Sequence, residues 1–313
     1  MRFIGVLNRD GGTFKTTDME AFAARAVEIF RAHGHELDPR IVEGKDLIAE
    51  LTRAAKEAEV LLAGGGDGTI SAAAAAAFRQ GIPLAVLPAG TMNLFARSLQ
   101  LPLNLDVALA TLADGEVKEV DIATANGRPF VHQFSVGVHA KLVKLREALT
   151  YKSRIGKIMA STRASATAIA NAPTFFVDVT TKNGVERRPT AGISISNNPL
   201  DEGHLPHADA LDRGVLGIYI IPPLTPQNVA RLSFGMLRGK FKSLPEVVDR
   251  EAKQVTIRFP RKKSGSLAVI DGELTRLADR VDLKIHPGAL KVLVPRQAVE
   301  IPIPSADDLL APA

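Results

Sequence analysis

Two glycine-lined turns constrain this chain more than any other feature: Gly64-Gly65-Gly66-Asp67-Gly68-Thr69 and Pro88-Ala89-Gly90-Thr91-Met92-Asn93. Each follows a short apolar run, 60–63 or 84–87, and precedes a helical pattern. Glycines at such a turn let the backbone approach a phosphate closely, and the free amides of a helix start attract its charge. Asp67 is an acid inside this setting. A carboxylate beside phosphates is reasonable when a cation lies between them. The pair of turns therefore reads as the ATP and Mg²⁺ site of a phosphotransferase. The amides of the first turn are assigned to phosphate oxygens, Thr69 to a phosphate or a helix cap, and Asp67 to Mg²⁺ or the reacting hydroxyl. In the second turn Thr91 would donate to phosphate and Asn93 would brace the loop. Arg97, one turn on, either faces solvent or reaches phosphate.

The surrounding pattern gives the two turns a common sheet. Apolar runs at 3–7, 36–42, 60–63 and 84–87 alternate with helical patterns at 19–32, 46–58, 70–79 and 105–113. Asp18 and Asn104 stand at N-cap positions, and Gly34 and Gly81 act as stops. Such βα alternation predicts a doubly wound parallel sheet covered by helices, with ligands at the carboxyl ends of its strands. From about Val117 the texture changes. Strand-like runs recur at 117–125, 130–138, 175–181, 185–188, 193–196, 215–221, 254–259, 267–270 and 281–285. Asn126-Gly127 and Asn183-Gly184 between them are hairpin signals. A mostly antiparallel second domain, a β-sandwich, is expected, with the site in the cleft between the domains. Helices are expected at 141–170 and 226–237, and a last strand at 289–294. The division is a nucleotide-binding domain over 1–122, rejoined by 288–313, and a β-rich domain over 123–287.

Composition narrows the setting. The 313 residues are 46% hydrophobic, enough for two cores. There is no cysteine, so thiol nucleophiles, disulfides and zinc–thiolate sites are excluded. No run suits a spanning helix or a signal peptide, and a cytoplasmic location is expected. The net charge of +5 favours anionic partners. Only 5% of residues are aromatic, which supplies base-stacking poorly, and no nucleic-acid partner is expected.

Further chemistry could come from the second half. Ile270-Asp271-Gly272-Glu273 closes a strand. It reads either as a hairpin turn or as the source of a proton acceptor, Asp271 or Glu273, for an attacking hydroxyl. Asp209 and Asp212 lie in a polar loop and are either solvated or ligands of a hard cation. His132 and His139 read as packed or surface histidines. Lys141, Lys144, Arg146, Lys152, Arg154 and Lys157 form a basic stretch, and Arg261-Lys262-Lys263 reads as a charged hairpin tip.

These residues together resemble the diacylglycerol kinase catalytic-domain family, which includes bacterial lipid kinases, sphingosine kinases and ceramide kinases. The resemblance rests on 64–69, on 88–93 with Phe95-Ala96-Arg97, on the Pro206 to Gly214 loop and on Asp271-Gly272-Glu273, in the family's order across nearly the whole chain. It implies Mg²⁺-ATP, phosphorylation of a lipid hydroxyl, and a lipid-binding second domain. It implies nucleotide contacts from Asn8, Gly65 to Thr69, and Thr91, a metal held by Asp67 and Asp212, and a proton acceptor in the Asp271-Gly272-Glu273 segment. The chain departs from the family's pattern at Arg9-Asp10 in the first loop, at Val42, at Leu94 after the loop asparagine, and at Arg213 before Gly214. The implied partner is a membrane lipid, diacylglycerol-like or ceramide- or sphingoid-like. The implied place is the anionic inner face of the membrane, and a homodimer is left open. An NAD kinase-like enzyme and a non-catalytic nucleotide- or lipid-binding regulator are the rivals.

Overall fold

The computed structural model describes residues 1–148, 174–201, 207–225 and 248–296. The first domain is built on four parallel strands, β1 (Arg2–Asn8), β2 (Glu36–Val42), β3 (Val60–Gly65) and β4 (Leu84–Pro88), in the order β2-β1-β3-β4. β3 and β4 are buried along their whole length, as central parallel strands covered on both faces must be. α1 (Met19–Ala32) packs against α5 (Leu105–Ala113), and α2 (Leu47–Glu57) against α3 (Asp67–Gln80). The Asp18 carboxylate accepts from the Ala21 amide, and Asn104 Oδ1 from those of Asp106 and Val107, so both expected caps form. Ala73, Ala74 and Ala77 are fully buried, and their small side chains let α3 sit close to the sheet. The chain leaves β1 toward one side for β2 and returns on the other side as β3. The loops after β1 and β3 therefore open a crevice where such sheets bind ligands.

The second domain is the expected sandwich. One layer has six strands, β12 (Val248–Ala252), β11 (Leu216–Ile221), β10 (Gly192–Asn197), β7 (Gln133–Gly137), β14 (Leu267–Ile270) and β15 (Glu273–Arg276), in that order, all antiparallel. Opposite it lie β13 (Gln254–Arg258), β8 (Phe175–Thr181) and β9 (Gly184–Thr190), with the short β6 (Arg128–Phe130). Phe134, Val136, Ile193 and Ile195 of the first layer meet Val177, Val255, Ile257 and Leu283 of the second in one core. α6 (Val138–Ala148) lies on the outside of β7 and β14, with Ala140 and Val143 against Val269.

The two halves are not separate sheets. β5 (Glu116–Ala125) and β16 (Arg280–Val294) pair antiparallel from Leu283–Ala125 to Val294–Glu116 and run through both domains. Near one end Val292 pairs in parallel with Leu84 of β4; near the other Leu283 pairs with Val255 of β13. Strands expected at 281–285 and 289–294 are thus one strand. Its register shifts between His286 and Leu290, around Pro287 and a left-handed Gly288. A division after residue 122 falls inside β5. The 130–138 run is split into β6 and β7, because the amides of Val131 and His132 turn to the Asp271 carboxylate. The expected helix beyond 148, the one at 226–237 and the tail after 296 lie outside the described residues. No helix among the described residues is long and apolar enough to cross a membrane.

Candidate active site

Three loops meet at the carboxyl ends of β1, β3 and β4, and backbone bonds stitch them together. The Ala89 amide donates to the Gly65 carbonyl at 3.0 Å, and the Thr13 amide to the Ala89 carbonyl at 2.9 Å. The approach is so close that glycine is required. A Cβ on Gly12, which is left-handed at φ +31°, would lie 2.1 Å from the Ala89 carbonyl oxygen, and one on Gly90 would lie 2.6 Å from Gly66 Cα. These contacts separate the glycines by job. Gly64 and Gly65 belong to β3 itself, in register with Leu87 and Pro88, and their Cβ positions are filled by Leu7 and Phe14 and by Thr69. The absence of side chains at these two positions lets the loops stack. Gly66 and Gly68 look outward. A Cβ there meets only Gly90 Cα at 3.6 Å and Glu273 Oε1 at 3.4 Å, respectively.

Asn8 and Thr69 also turn inward. Asn8 Nδ2 donates to Thr69 Oγ1 at 3.0 Å, its Oδ1 accepts from the Asp10 amide, and Thr69 is buried beneath Gly65. Both brace the loops from below. Asn93 closes the second loop on itself: its Oδ1 accepts from the Gly90 amide and its Nδ2 donates to the Gly90 carbonyl, both at 2.8 Å. It does so in a left-handed conformation, φ +51°, which asparagine tolerates better than most residues. Thr91 stands exposed at the tip.

Asp67 joins the two turns. Oδ1 accepts from the Leu94 amide at 2.7 Å and Oδ2 from the Asn93 amide at 3.1 Å, so a carboxylate at the start of α3 caps the start of α4 (Leu94–Ser98). Arg97 folds back with Nε on the Met92 carbonyl at 2.9 Å. Burial pulls its guanidinium below the usual arginine value, and the charge of Asp67 pulls it the other way. Each Asp67 oxygen keeps a lone pair, and a hard oxygen donor beside open backbone suits Mg²⁺, which takes one or two carboxylates together with phosphate oxygens.

Across the cleft the two acids of Asp271-Gly272-Glu273 differ sharply. Asp271 is buried and left-handed at φ +48°. Oδ1 accepts from the His132 and Gln133 amides, and Oδ2 from the Val131 amide, each at 2.9 Å, while Ser71 Oγ of α3 donates to Oδ2 at 2.7 Å. Four donors fill its lone pairs, and burial still leaves the carboxyl above its ordinary value. Asp271 is therefore a latch between α3 and the second domain. Glu273 is half exposed; its Oε2 accepts from Arg128 at 2.8 Å and its Oε1 faces Gly68. Of the two, only Glu273 presents a carboxylate oxygen to the outward-looking part of the first loop. Ser71 carries no motif; its one sequence signal is its place a helical turn after Asp67.

In the distal loop the described residues do not gather around Asp212. Asp212 is mostly exposed, 3.9 Å from Lys118 Nζ, and no set of three or more acidic or histidine side chains suited to a metal forms among the described residues. Its proposed metal role has no support in the geometry. The turn around Gly214 serves Asp121 instead. Buried in β5, Asp121 accepts from the Gly214 amide at 2.7 Å and the Gly288 amide at 2.9 Å, and its own amide donates to the Leu211 carbonyl. Nearby, His132 Nε2 is shut off from solvent with no hydrogen-bond partner among the described residues. Burial pulls this imidazole down to about 4, against the pull of Asp67.

A crevice with stacked glycine turns on one wall and a carboxylate on the other suits a two-domain phosphotransferase. The sequence profile described as "Diacylglycerol kinase catalytic domain" matches residues 2–125. The chain is 30% identical over 301 residues to the "Probable lipid kinase YegS-like" of Pseudomonas aeruginosa, covering 90% of this chain and 93% of that one. It is 34% identical over 107 residues to the "Uncharacterized protein sll0036" of Synechocystis sp., 33% of this chain and 25% of the relative. It is 29% identical over 163 residues to the YegS-like protein of Cronobacter sakazakii, 49% of this chain and 54% of the relative. The matched stretches thus span a quarter and about half of those last two proteins. Among solved structures, a candidate diacylglycerol kinase from Bacillus anthracis str. Sterne is similar with a TM-score of 0.74 at 21% identity, over 95% of this chain and 98% of that one. A second from the same organism gives 0.69 at 18% identity over the same shares. The chain belongs to the diacylglycerol kinase catalytic-domain family.

Proposed function

We propose that this protein is a lipid kinase that transfers the γ-phosphoryl group of ATP to a hydroxyl of a membrane lipid. The observation that carries the reading is the approach of Glu273, from the second domain, to Gly68 in the first, where the first glycine turn looks outward. The phosphates lie against Gly66, Gly68 and Thr91, with Arg97 adding positive charge. Asp67 would hold Mg²⁺, which supplies charge neutralisation on the phosphates when bound. The lipid hydroxyl enters from the second domain, and Glu273 accepts its proton as the oxygen attacks phosphorus and the bond to the ADP oxygen breaks. Asp271 positions this segment through Ser71 and takes no proton itself.

Support for a lipid acceptor comes from the family and from the names of the relatives. The candidates are diacylglycerol, ceramide and a sphingoid base, each with a hydroxyl beside long chains. The test is incubation with γ-labelled ATP, with and without Mg²⁺, against purified lipids in micelles and against NAD, read by mass spectrometry. A phosphorylated lipid that needs Mg²⁺ is expected. Phosphorylation of NAD alone, or of nothing, contradicts the proposal.

A further inference from the structure

The short strand β6 brings one cation to the cleft. Arg128 Nη2 lies 2.8 Å from Glu273 Oε2, and it is the one ion-pair partner of Glu273 among the described residues. The backbone around Arg128 is anchored on both sides. Before it, Asn126 and Gly127 make a two-residue turn with both residues left-handed, at φ +48° and +79°. The turn is tied to β16: the Asn126 amide donates to the Asp282 carbonyl at 2.9 Å, and Asn126 Oδ1 accepts from the Asp282 amide at 2.8 Å. After β6, the Val131 amide donates to Oδ2 of Asp271, two residues before Glu273. α3, which carries Gly68, packs against β6. The stretch 126–133 therefore grips both acids of the 271–273 segment, Asp271 through amides and Glu273 through a guanidinium.

With both side chains half exposed, such a pair contributes little to stability. Its consequence is geometric. A free glutamate side chain samples many rotamers, and a proton acceptor works only when it is aimed. Arg128 occupies Oε2, and Oε1 is the oxygen that faces Gly68. We propose that Arg128 is a positioning residue for phosphoryl transfer. It holds Oε2, so that Oε1 takes the lipid proton as the hydroxyl oxygen bonds to phosphorus and the bond to the ADP oxygen breaks. Arg128 acts through Glu273 and touches neither phosphate nor lipid. The proposal rests on the kinase reading above, and its test separates the two.

The test is single-turnover transfer from γ-labelled ATP to a micellar mixture of diacylglycerol, ceramide and sphingosine. It compares the native chain with Arg128→Gln, Arg128→Lys, Glu273→Gln and the double variant Arg128→Gln with Glu273→Gln. Arg128→Gln should slow transfer about 10–100-fold, the scale of a misaimed catalytic group. ATP affinity should change by less than about threefold, and the melting temperature should hold. Arg128→Lys should recover most of the lost rate, because the contact uses one nitrogen and a lysine cation can supply it. In the Glu273→Gln background, Arg128→Gln should cost less than about twofold further, since the group it aims no longer accepts a proton. Arg128→Gln at the native rate, a loss that appears as weaker ATP binding, or the same loss in the Glu273→Gln background would overturn the proposal and leave the kinase reading in place. Glu273→Gln at the native rate would overturn both together.

Discussion

At the scale of single residues, the glycines of the first turn are not equivalent, although the sequence presents them as one motif. Gly65 is closed in by Thr69, where an added methyl would sit 2.5 Å from the hydroxyl oxygen. Gly65→Ala should therefore lower stability by about 1–3 kcal/mol, the usual cost of overpacking, as read by urea unfolding. Gly68 has room for a methyl beside Glu273, so Gly68→Ala should fold with stability changed by less than about 0.5 kcal/mol. In the proposed placement of the phosphates the same methyl would crowd them, and ATP affinity measured by calorimetry should fall about tenfold or more. Asp67 shows a related surprise. Asp67→Asn keeps the shape of the side chain. Both carboxylate oxygens, however, accept backbone N–H groups, and an amide would turn a donor toward one of them.

At the scale of elements, local pattern made the first domain legible and left its connection to the second hidden. The βα alternation, the caps at Asp18 and Asn104 and the Asn-Gly hairpins all follow from chemistry within a few residues. The β5–β16 pair does not, because its partners lie more than 150 positions apart and Pro287-Gly288 makes one strand look like two. Asp121 was equally hidden. An aspartate in a strand pattern carries no signal that it will cap Gly214 and the bulge at Gly288. Asp121→Asn replaces one of two buried acceptors with a donor and should cost about 1–3 kcal/mol. Hydrogen exchange should show the loss concentrated in β5 and β16 relative to β1 and β3. The acids at 271 and 273 were visible as a pair, and only the fold separates the latch from the exposed carboxylate.

At the scale of the whole molecule, the Ser71–Asp271 contact ties the two domains together, and a histidine, His132, is buried beside the Asp271 carboxylate. His132 titrates near 6.5 in the unfolded chain and near 4 in the folded one. The unfolded state therefore binds the extra proton first as pH falls. Stability from this group is fully present above about pH 6.5 and is lost progressively down to about pH 4, on the order of 3 kcal/mol in all. The melting temperature should drop across that interval, and His132→Phe should flatten the drop. An unchanged slope in the variant would assign the acid sensitivity to other groups.

The central claim is that the second domain lends a carboxylate, Glu273, to a phosphate cradle built by the first. Single-turnover transfer from γ-labelled ATP to a lipid acceptor, compared between the native chain and Glu273→Gln, measures this directly. The account predicts a fall of about 10²–10⁴-fold in the transfer rate, the usual share of a general base, with ATP affinity changed by less than about threefold. Transfer by Glu273→Gln at the native rate, with the protein folded and ATP bound, would contradict it.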